Sequence, residues 1–194
     1  MPIATSSPPA QSGQFDAAQG FPPIANDQAR VLILGSMPGI ASLRAGEYYA
    51  HPRNQFWPIM ASILDIDLVA LAYPQRRQAL LDAGIALWDV LQSCHRPGSL
   101  DADIAPDSIV VNDFATFFQR HPAIHHLYFN GAAAEQHFRR RVAPLLPLRQ
   151  TSSLAFQRLP STSPAHAALD FPAKLTAWRA VAKILGQTGD FRQD

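Results

Sequence analysis

Four apolar runs set the frame of the chain. Val31-Leu32-Ile33-Leu34 is continuous, without alternation, and is closed by Gly35, which suits a strand buried on both faces. Residues 85–91 read the same way, broken in polarity only by Asp89, and residues 124–129 and 155–159 supply a third and a fourth strand. Residues 109–111 are a shorter apolar piece. Between the strands, apolar positions recur at helical spacing. Phe56, Ile59, Met60 and Ile63 predict a helix that starts at Asn54 or Gln55 and ends at residue 64, with Pro58 tolerated in its first turn. A second helix covers residues 74–83, ended by Gly84 as a left-handed cap. Asn112 or Asp113 caps a third through residue 120. A fourth spans 132–142 and exposes Arg139, Arg140 and Arg141; a last one spans 171–185 and buries Leu175, Trp178, Val181, Ala182 and Leu185. Strands alternating with helices predict an α/β fold, a three-layer αβα domain around a central, mainly parallel four-stranded sheet.

Two loops stand apart by their polarity. One runs from Gly35 to about Arg53 and carries Tyr48, Tyr49, His51, Arg53 and Asn54; the other is Pro160-Ser-Thr-Ser-Pro-Ala-His166. Both follow predicted parallel strands, where open α/β sheets bind their ligands. Gly35, Pro38 and Gly39 break regular structure and let backbone approach a ligand closely. Residues 1–25, rich in Pro, Ser, Gln, Ala and Gly, read as a disordered or loosely attached tail in which Phe21-Pro-Pro-Ile24 is the stretch able to lie against the domain. The domain is expected over residues 26–188, with 189–194 as a C-terminal tail.

Composition narrows the classes. The 194 residues suffice for one domain with a real core, and 47% are hydrophobic. No apolar run reaches the roughly 20 residues of a membrane span, and no secretory signal pattern is present at the N-terminus. With Cys94 alone, intramolecular disulfides and multi-cysteine metal or iron–sulfur sites are excluded. A reducing cytosolic setting fits. The net charge of +1 hides an asymmetry: residues 1–29 carry Asp16 and Asp27 and no lysine or arginine. The basic side chains are arginines except for Lys174 and Lys183. Arginine suits forked phosphate contacts and stacking on bases, and it also follows from a GC-rich genome.

Several local chemistries fail. Gly35-Ser-Met-Pro-Gly39 is too short for a phosphate-binding P-loop and lacks its Gly-Lys-Ser/Thr end. There is no dinucleotide glycine fingerprint and no Gly-x-Ser-x-Gly elbow. His125 and His126, adjacent on a strand, read as one core and one surface histidine.

Gly35-Ser-Met-Pro-Gly39, Tyr48-Tyr-Ala-His-Pro-Arg-Asn-Gln-Phe-Trp57 and Leu159-Pro-Ser-Thr-Ser-Pro-Ala165 resemble, in this order, the motifs of the uracil-DNA glycosylase superfamily. Gly84-Ile-Ala-Leu-Trp-Asp-Val-Leu91 and Gly98-Ser-Leu-Asp101 fit its hypoxanthine-DNA glycosylase branch best. The resemblance covers residues 30–185. It implies a monofunctional glycosylase of base excision repair that removes a deaminated base, hypoxanthine first and uracil second, from DNA by base flipping, with no metal or cofactor. The expected setting is the cytosol or nucleoid and the expected state a monomer.

The resemblance also assigns residues. Met37 stands where related enzymes carry Asn or Asp, and a thioether cannot position water as those groups do. Asn54 takes that task by resemblance to the branch; read without it, Asn54 caps the following helix. Tyr49 is the stacking platform for the flipped base, whereas Tyr48 reads as a loop anchor. Gly35 and Met37 line the base pocket. Asp89 occupies a position where relatives often carry a base-contacting Asn, and as a carboxylate it accepts N1–H of hypoxanthine. An acceptor alone cannot stabilise the developing anion, so Ser36 and backbone N–H groups supply donors. Bracing of a loop is the other reading of Asp89. Asn130 contacts the base edge or forms a tight turn. Arg53, Ser161, Thr162, Ser163 and His166 contact the DNA backbone. Lys174 reads as solvated surface, which disfavours amine-based lyase chemistry. Two rival functions stay open: a catalytically weak damaged-DNA binding module, and a hydrolase of free nucleosides.

Overall fold

The computed structural model describes residues 17–186. The expectations for residues 1–16 and 187–194 lie outside the described residues. In chain order the elements are β1 (Ala18–Gln19), β2 (Val31–Gly35), α1 (Ile40–Ala45), α2 (Phe56–Leu64), α3 (Tyr73–Asp82), β3 (Ile85–Asp89), β4 (Leu91–Cys94), β5 (Val110–Val111), α4 (Phe114–Arg120), β6 (His126–Asn130), α5 (Ala132–His137), α6 (Leu148–Thr151), β7 (Ala155–Leu159) and α7 (Phe171–Leu185). A π turn over Phe138–Val142 continues α5.

The central sheet has the order β3-β2-β6-β7, and every neighbouring pair is parallel. Leu32, Leu34, Ala86, Trp88, Leu127 and Phe129 face one apolar cluster, with Phe114, Phe117, Phe118 and Phe138 of α4 and the π turn. Val31, Ile33, Ile85, Leu87 and Tyr128 face the other, with α2, α3 and α7. Burial on both faces is why the strand sequences do not alternate. The edge strand β7 does show polar positions, exposing Gln157 and Arg158.

α1 and β4 depart from the expected pattern, and the Phe21-Pro-Pro-Ile24 stretch lies against the domain as expected. The first loop contains α1, which has no side-chain cap bond and no acidic residue in its first turn. Ser99 Oγ accepts the Ile40 N–H at 2.9 Å, a tertiary bond that no local pattern announces. Residues 85–91 do not form one strand: β3 ends at Asp89, and β4 turns into a second, antiparallel sheet of order β1-β4-β5. The segment from residue 17 lies along the domain. Ile24 bridges Leu87 on the outer edge of β3, and the Phe21 carbonyl accepts from Trp88 Nε1 at 3.0 Å. Neither His125 nor His126 is buried, because β6 begins at His126, on the rim of the sheet. Asp113, not Asn112, caps α4, accepting the Thr116 N–H. Among the described residues, no helix is long and apolar enough to cross a membrane.

Candidate active site

The parallel strands end level, with Gly35 opposite Asp89 and Asn130 opposite Leu159. The chain leaves β2 for β3 on one side and returns to β6 on the other. This makes the β2/β6 boundary the topological switch point, where such sheets open a crevice. A cavity of about 160 Å³ opens there, comparable to the engineered cavities of about 150 Å³ that accept a single aromatic ring. Gly35, Ser36, Met37, Tyr49, Asn54, Asp89, Asn130, Ser161, Thr162 and Ser163 all line it; Arg53 and His166 do not. Arg53 is exposed at the rim, and its backbone N–H is taken by His51 Nδ1.

Tyr49 has a φ of 56°, a left-handed conformation that costs a non-glycine residue on the order of 1 kcal/mol or more. Its neighbours hold it there. The Tyr48 N–H donates to the Tyr73 hydroxyl, and the Tyr48 carbonyl accepts from Trp57 Nε1. The Tyr49 ring stacks on Phe56, centroids 4.1 Å apart and 21° from parallel. Tyr48 itself is buried, its hydroxyl directed to the Phe21 and Pro22 carbonyls. Burial is the main cause raising the pKa of both tyrosines, so both stay neutral at physiological pH.

Asn54 Oδ1 accepts the Phe56 N–H at 3.0 Å at the start of α2. The bond fixes the amide at the cavity wall and leaves the oxygen a second lone pair. Asn130 is engaged on both sides of its amide: Oδ1 accepts the Thr162 N–H, and Nδ2 donates to Thr162 Oγ1 and to the Tyr49 hydroxyl. Thr162 is fully buried, and its carbonyl accepts the Gln55 N–H. Its hydroxyl, expected at the DNA backbone, is turned inward and braces the loop. Ser161 and Ser163 hydroxyls accept local backbone N–H groups, as in Ser/Thr turns. Gly131, at φ 99°, passes so close to this loop that a Cβ there would lie 2.9 Å from Ser161 Cβ. Lys174 is buried rather than solvated; its Nζ donates to the His166 carbonyl at 2.8 Å, and desolvation lowers its pKa.

Asp89 lies in the cavity floor. A Cβ at position 35 would stand 2.2 Å from Asp89 Oδ1, so only glycine leaves room for the carboxyl. Asp89 Oδ2 is buried and has no hydrogen-bond partner. The Ser36 hydroxyl donates to Asp101 Oδ1 at 2.6 Å. Buried Arg96 donates to the Pro38 carbonyl and approaches Asp101 at 3.9 Å. Sequence reasoning gave Arg96, Ser99 and Asp101 no role in the site. The Gly98-Ser-Leu-Asp101 motif was the one visible signal for Ser99 and Asp101, and Arg96 had none. Among the described residues, no cluster of His, Cys, Asp or Glu is arranged to hold a metal ion.

Fold and cavity define an αβα protein with a ring-sized, polar-lined cavity at the carboxyl ends of its parallel strands. The chain belongs to the Uracil DNA glycosylase superfamily, whose sequence model matches residues 22–182. A protein named hypoxanthine DNA glycosylase from Methanosarcina barkeri is 40% identical over 113 residues, 58% of this chain and 70% of its own length. One of the same name from Methanosarcina acetivorans is 32% identical over 148 residues, 76% of this chain and 87% of its own. The solution NMR structure of a provisionally assigned uracil DNA glycosylase from M. acetivorans superposes with a TM-score of 0.73 at 30% identity, covering 88% of this chain and 99% of the other.

Proposed function

We propose that this chain is a monofunctional DNA glycosylase that hydrolyses the N-glycosidic bond of deoxyinosine in DNA, releasing hypoxanthine and leaving an abasic site. The observation that carries the reading is one ring-sized cavity that brings the Tyr49 ring, the Asn54 amide and the Asp89 carboxyl together. The names of the two Methanosarcina relatives support hypoxanthine as the base.

The nucleotide leaves the duplex stack and its base enters the cavity. Tyr49, backed by Phe56, stacks on the base, a contact worth about 1–3 kcal/mol. The bond from C1′ to the base nitrogen breaks, and its electron pair departs with the base. Water hydrogen-bonded to Asn54 Oδ1 then adds to C1′ of the oxocarbenium-like sugar and gives its proton to solvent. An amide is a poor base, so base departure precedes water attack and catalysis rests on stabilising the departing anion. Ser161 and Ser163, with Arg53 and His166 at the rim, contact the DNA backbone; Asn130 and Thr162 set that loop in place. Lys174 Nζ points to the His166 carbonyl, which supports hydrolysis over an amine-based lyase step. The protein works as a monomer on the DNA of the cytosol.

Met37 favours a second reading, a damaged-DNA binding module. It is buried on the cavity wall and offers no group that holds water well. Alkali-revealed cleavage of labelled duplexes bearing one deoxyinosine or one deoxyuridine separates the readings. Hypoxanthine release by the wild type, lost in Asn54→Ala with DNA binding retained, is the expected result. Uracil release alone removes the hypoxanthine assignment. No release from either duplex, with tight binding to an abasic one, identifies the module.

A further inference from the structure

We propose that Asp89 reads the base as a neutral carboxylic acid, its O–H donating to the ring carbonyl oxygen and its other oxygen accepting the adjacent ring N–H. The proposal rests on the glycosylase reading above and changes the expectation of a carboxylate that only accepts.

The geometry carries it. Asp89 ends β3 level with Gly35, on the floor of the cavity that Tyr49 walls. Oδ1 fills the space that a side chain at position 35 would occupy, so the carboxyl is fixed against backbone. Oδ2 is buried and has no hydrogen-bond partner, and no ion pair among the described residues includes Asp89. The charged and titratable groups that face it are Asp101 and Arg96 from the segment after β4, Tyr48 and Tyr49 from the loop before α2, and Tyr73 of α3. The tyrosines stay neutral, and Asp101 repels a second negative charge. Arg96, the only cation that facing set contains, directs its guanidinium to the Pro38 carbonyl and Asp101. A buried carboxylate left without a partner takes up a proton. Burial first, and then Asp101, push the Asp89 carboxyl up to about 8, with Arg96 opposing.

The protonation state decides what base fits. An ionised carboxylate presents two acceptors, which repel a carbonyl oxygen and the charge growing on a departing base. The neutral acid presents one donor and one acceptor side by side. That pair complements the C=O/N–H edge shared by hypoxanthine and uracil, the products of deamination. As the glycosidic bond breaks and its electron pair passes into the ring, the O–H faces the oxygen on which charge accumulates.

Asparagine carries the same donor and acceptor without a proton to lose, so Asp89→Asn and Asp89→Ala test the proposal through the pH dependence of the single-turnover rate. The wild-type rate is expected to fall about 30-fold between pH 7 and 9.5, as a group ionising near 8 requires. Asp89→Asn lacks this fall. Asp89→Ala also lacks the fall and is slower than wild type at pH 7 by about 10- to 100-fold, the worth of one paired base edge, a gap that closes towards pH 9.5. A wild-type rate flat over this range, or Asp89→Asn falling with the same inflection, overturns the proposal. The Asp89 carboxyl carbon, followed by NMR in the free protein, gives a reading independent of catalysis. Its titration in the ordinary carboxylate range overturns the proposal even in an active enzyme. Titration near 8 in a protein that releases no base instead removes the glycosylase function on which the proposal rests.

Discussion

Asn130 and Thr162 hold each other twice: Asn130 Oδ1 accepts the Thr162 N–H at 2.8 Å, and Asn130 Nδ2 donates to Thr162 Oγ1 at 2.9 Å. The same Nδ2 donates to the Tyr49 hydroxyl at 3.0 Å. One amide at the end of β6 therefore ties the loop after β7 to the loop before α2, and both loops line the cavity.

Asn130→Ala removes all three bonds and leaves the buried Thr162 N–H and hydroxyl unpaired. The expected loss is about 1–3 kcal/mol of stability, read by thermal or denaturant unfolding. Base release falls with it, because both loops loosen. Asn130→Asp keeps the acceptor for the Thr162 N–H and loses the donors, so its stability lies between wild type and Asn130→Ala. Equal stability of all three proteins overturns the bracing role.

Tyr49 separates stacking from bracing. Tyr49→Phe keeps the ring against Phe56 and loses only the acceptor for Asn130. Tyr49→Ala loses the platform, and affinity for a deoxyinosine duplex falls about 10- to 100-fold by the worth of one base–aromatic stack. Titrations with inosine-containing and abasic duplexes distinguish the two causes. The abasic duplex offers no base to stack, so its affinity changes less. A Tyr49→Phe defect as large as that of Tyr49→Ala assigns the residue to loop bracing alone.

Gly35→Ala tests the close approach at the cavity floor. The new methyl would stand 2.2 Å from Asp89 Oδ1, so the carboxyl must move. Position 35 does not have a positive φ, so the cost arises from crowding and not from backbone strain. The chain is expected to keep its fold by circular dichroism while base release drops by an order of magnitude or more, a displacement on the scale of 1 Å at a reacting site. Unchanged kcat/KM shows that the carboxyl position is immaterial to the reaction.

Lys174→Met deletes the bond to the His166 carbonyl while filling similar volume. The loop from Pro160 to His166 then keeps only the Trp178 Nε1 bond to the Pro160 carbonyl as a hydrogen bond to α7, and DNA affinity weakens more than fold stability does. Hydrogen exchange over the loop should rise. Borohydride trapping on an inosine duplex should give no covalent complex with either wild type or variant. A trapped wild-type complex that Lys174→Met abolishes makes Lys174 a nucleophile and overturns hydrolysis without a lyase step.

The layered sheet was legible because its strands are buried on both faces, which leaves unbroken apolar runs such as Val31 to Leu34. α7 was legible over Phe171–Leu185, with one error of face: Lys174 is buried, and its amine reaches the His166 carbonyl. The residues of the two polar loops were legible through motif resemblance, but their partners were not. That Thr162 turns inward depends on Asn130, thirty-two positions away, and that Ser36 is held depends on Asp101, sixty-five away. The protonation of Asp89 was hidden for the same reason. An Asp at the end of an apolar strand reads as a carboxylate until the enclosing Gly35, Asp101 and Arg96 are seen around it.

Asp89 also makes stability depend on pH, and the direction is fixed. Unfolded, the carboxyl ionises near the ordinary 3.8; folded, it holds its proton to about 8. Between those values the folded chain binds one proton more than the unfolded chain, so stability falls as pH rises, by about 1.4 kcal/mol per pH unit. Its contribution is complete below the lower value and is lost once pH has passed the upper one. Asparagine has no proton to lose and presents the same shape to Gly35. The difference in unfolding free energy between Asp89→Asn and wild type should therefore grow in favour of the variant from about pH 5 to 8 and level off above that. Denaturant unfolding of the two proteins in parallel across this range measures the difference directly, and the other titrating groups cancel in it. A difference constant with pH would mean that Asp89 is ionised in the folded chain, paired with a cation such as Arg96, and that the cavity floor carries a charge.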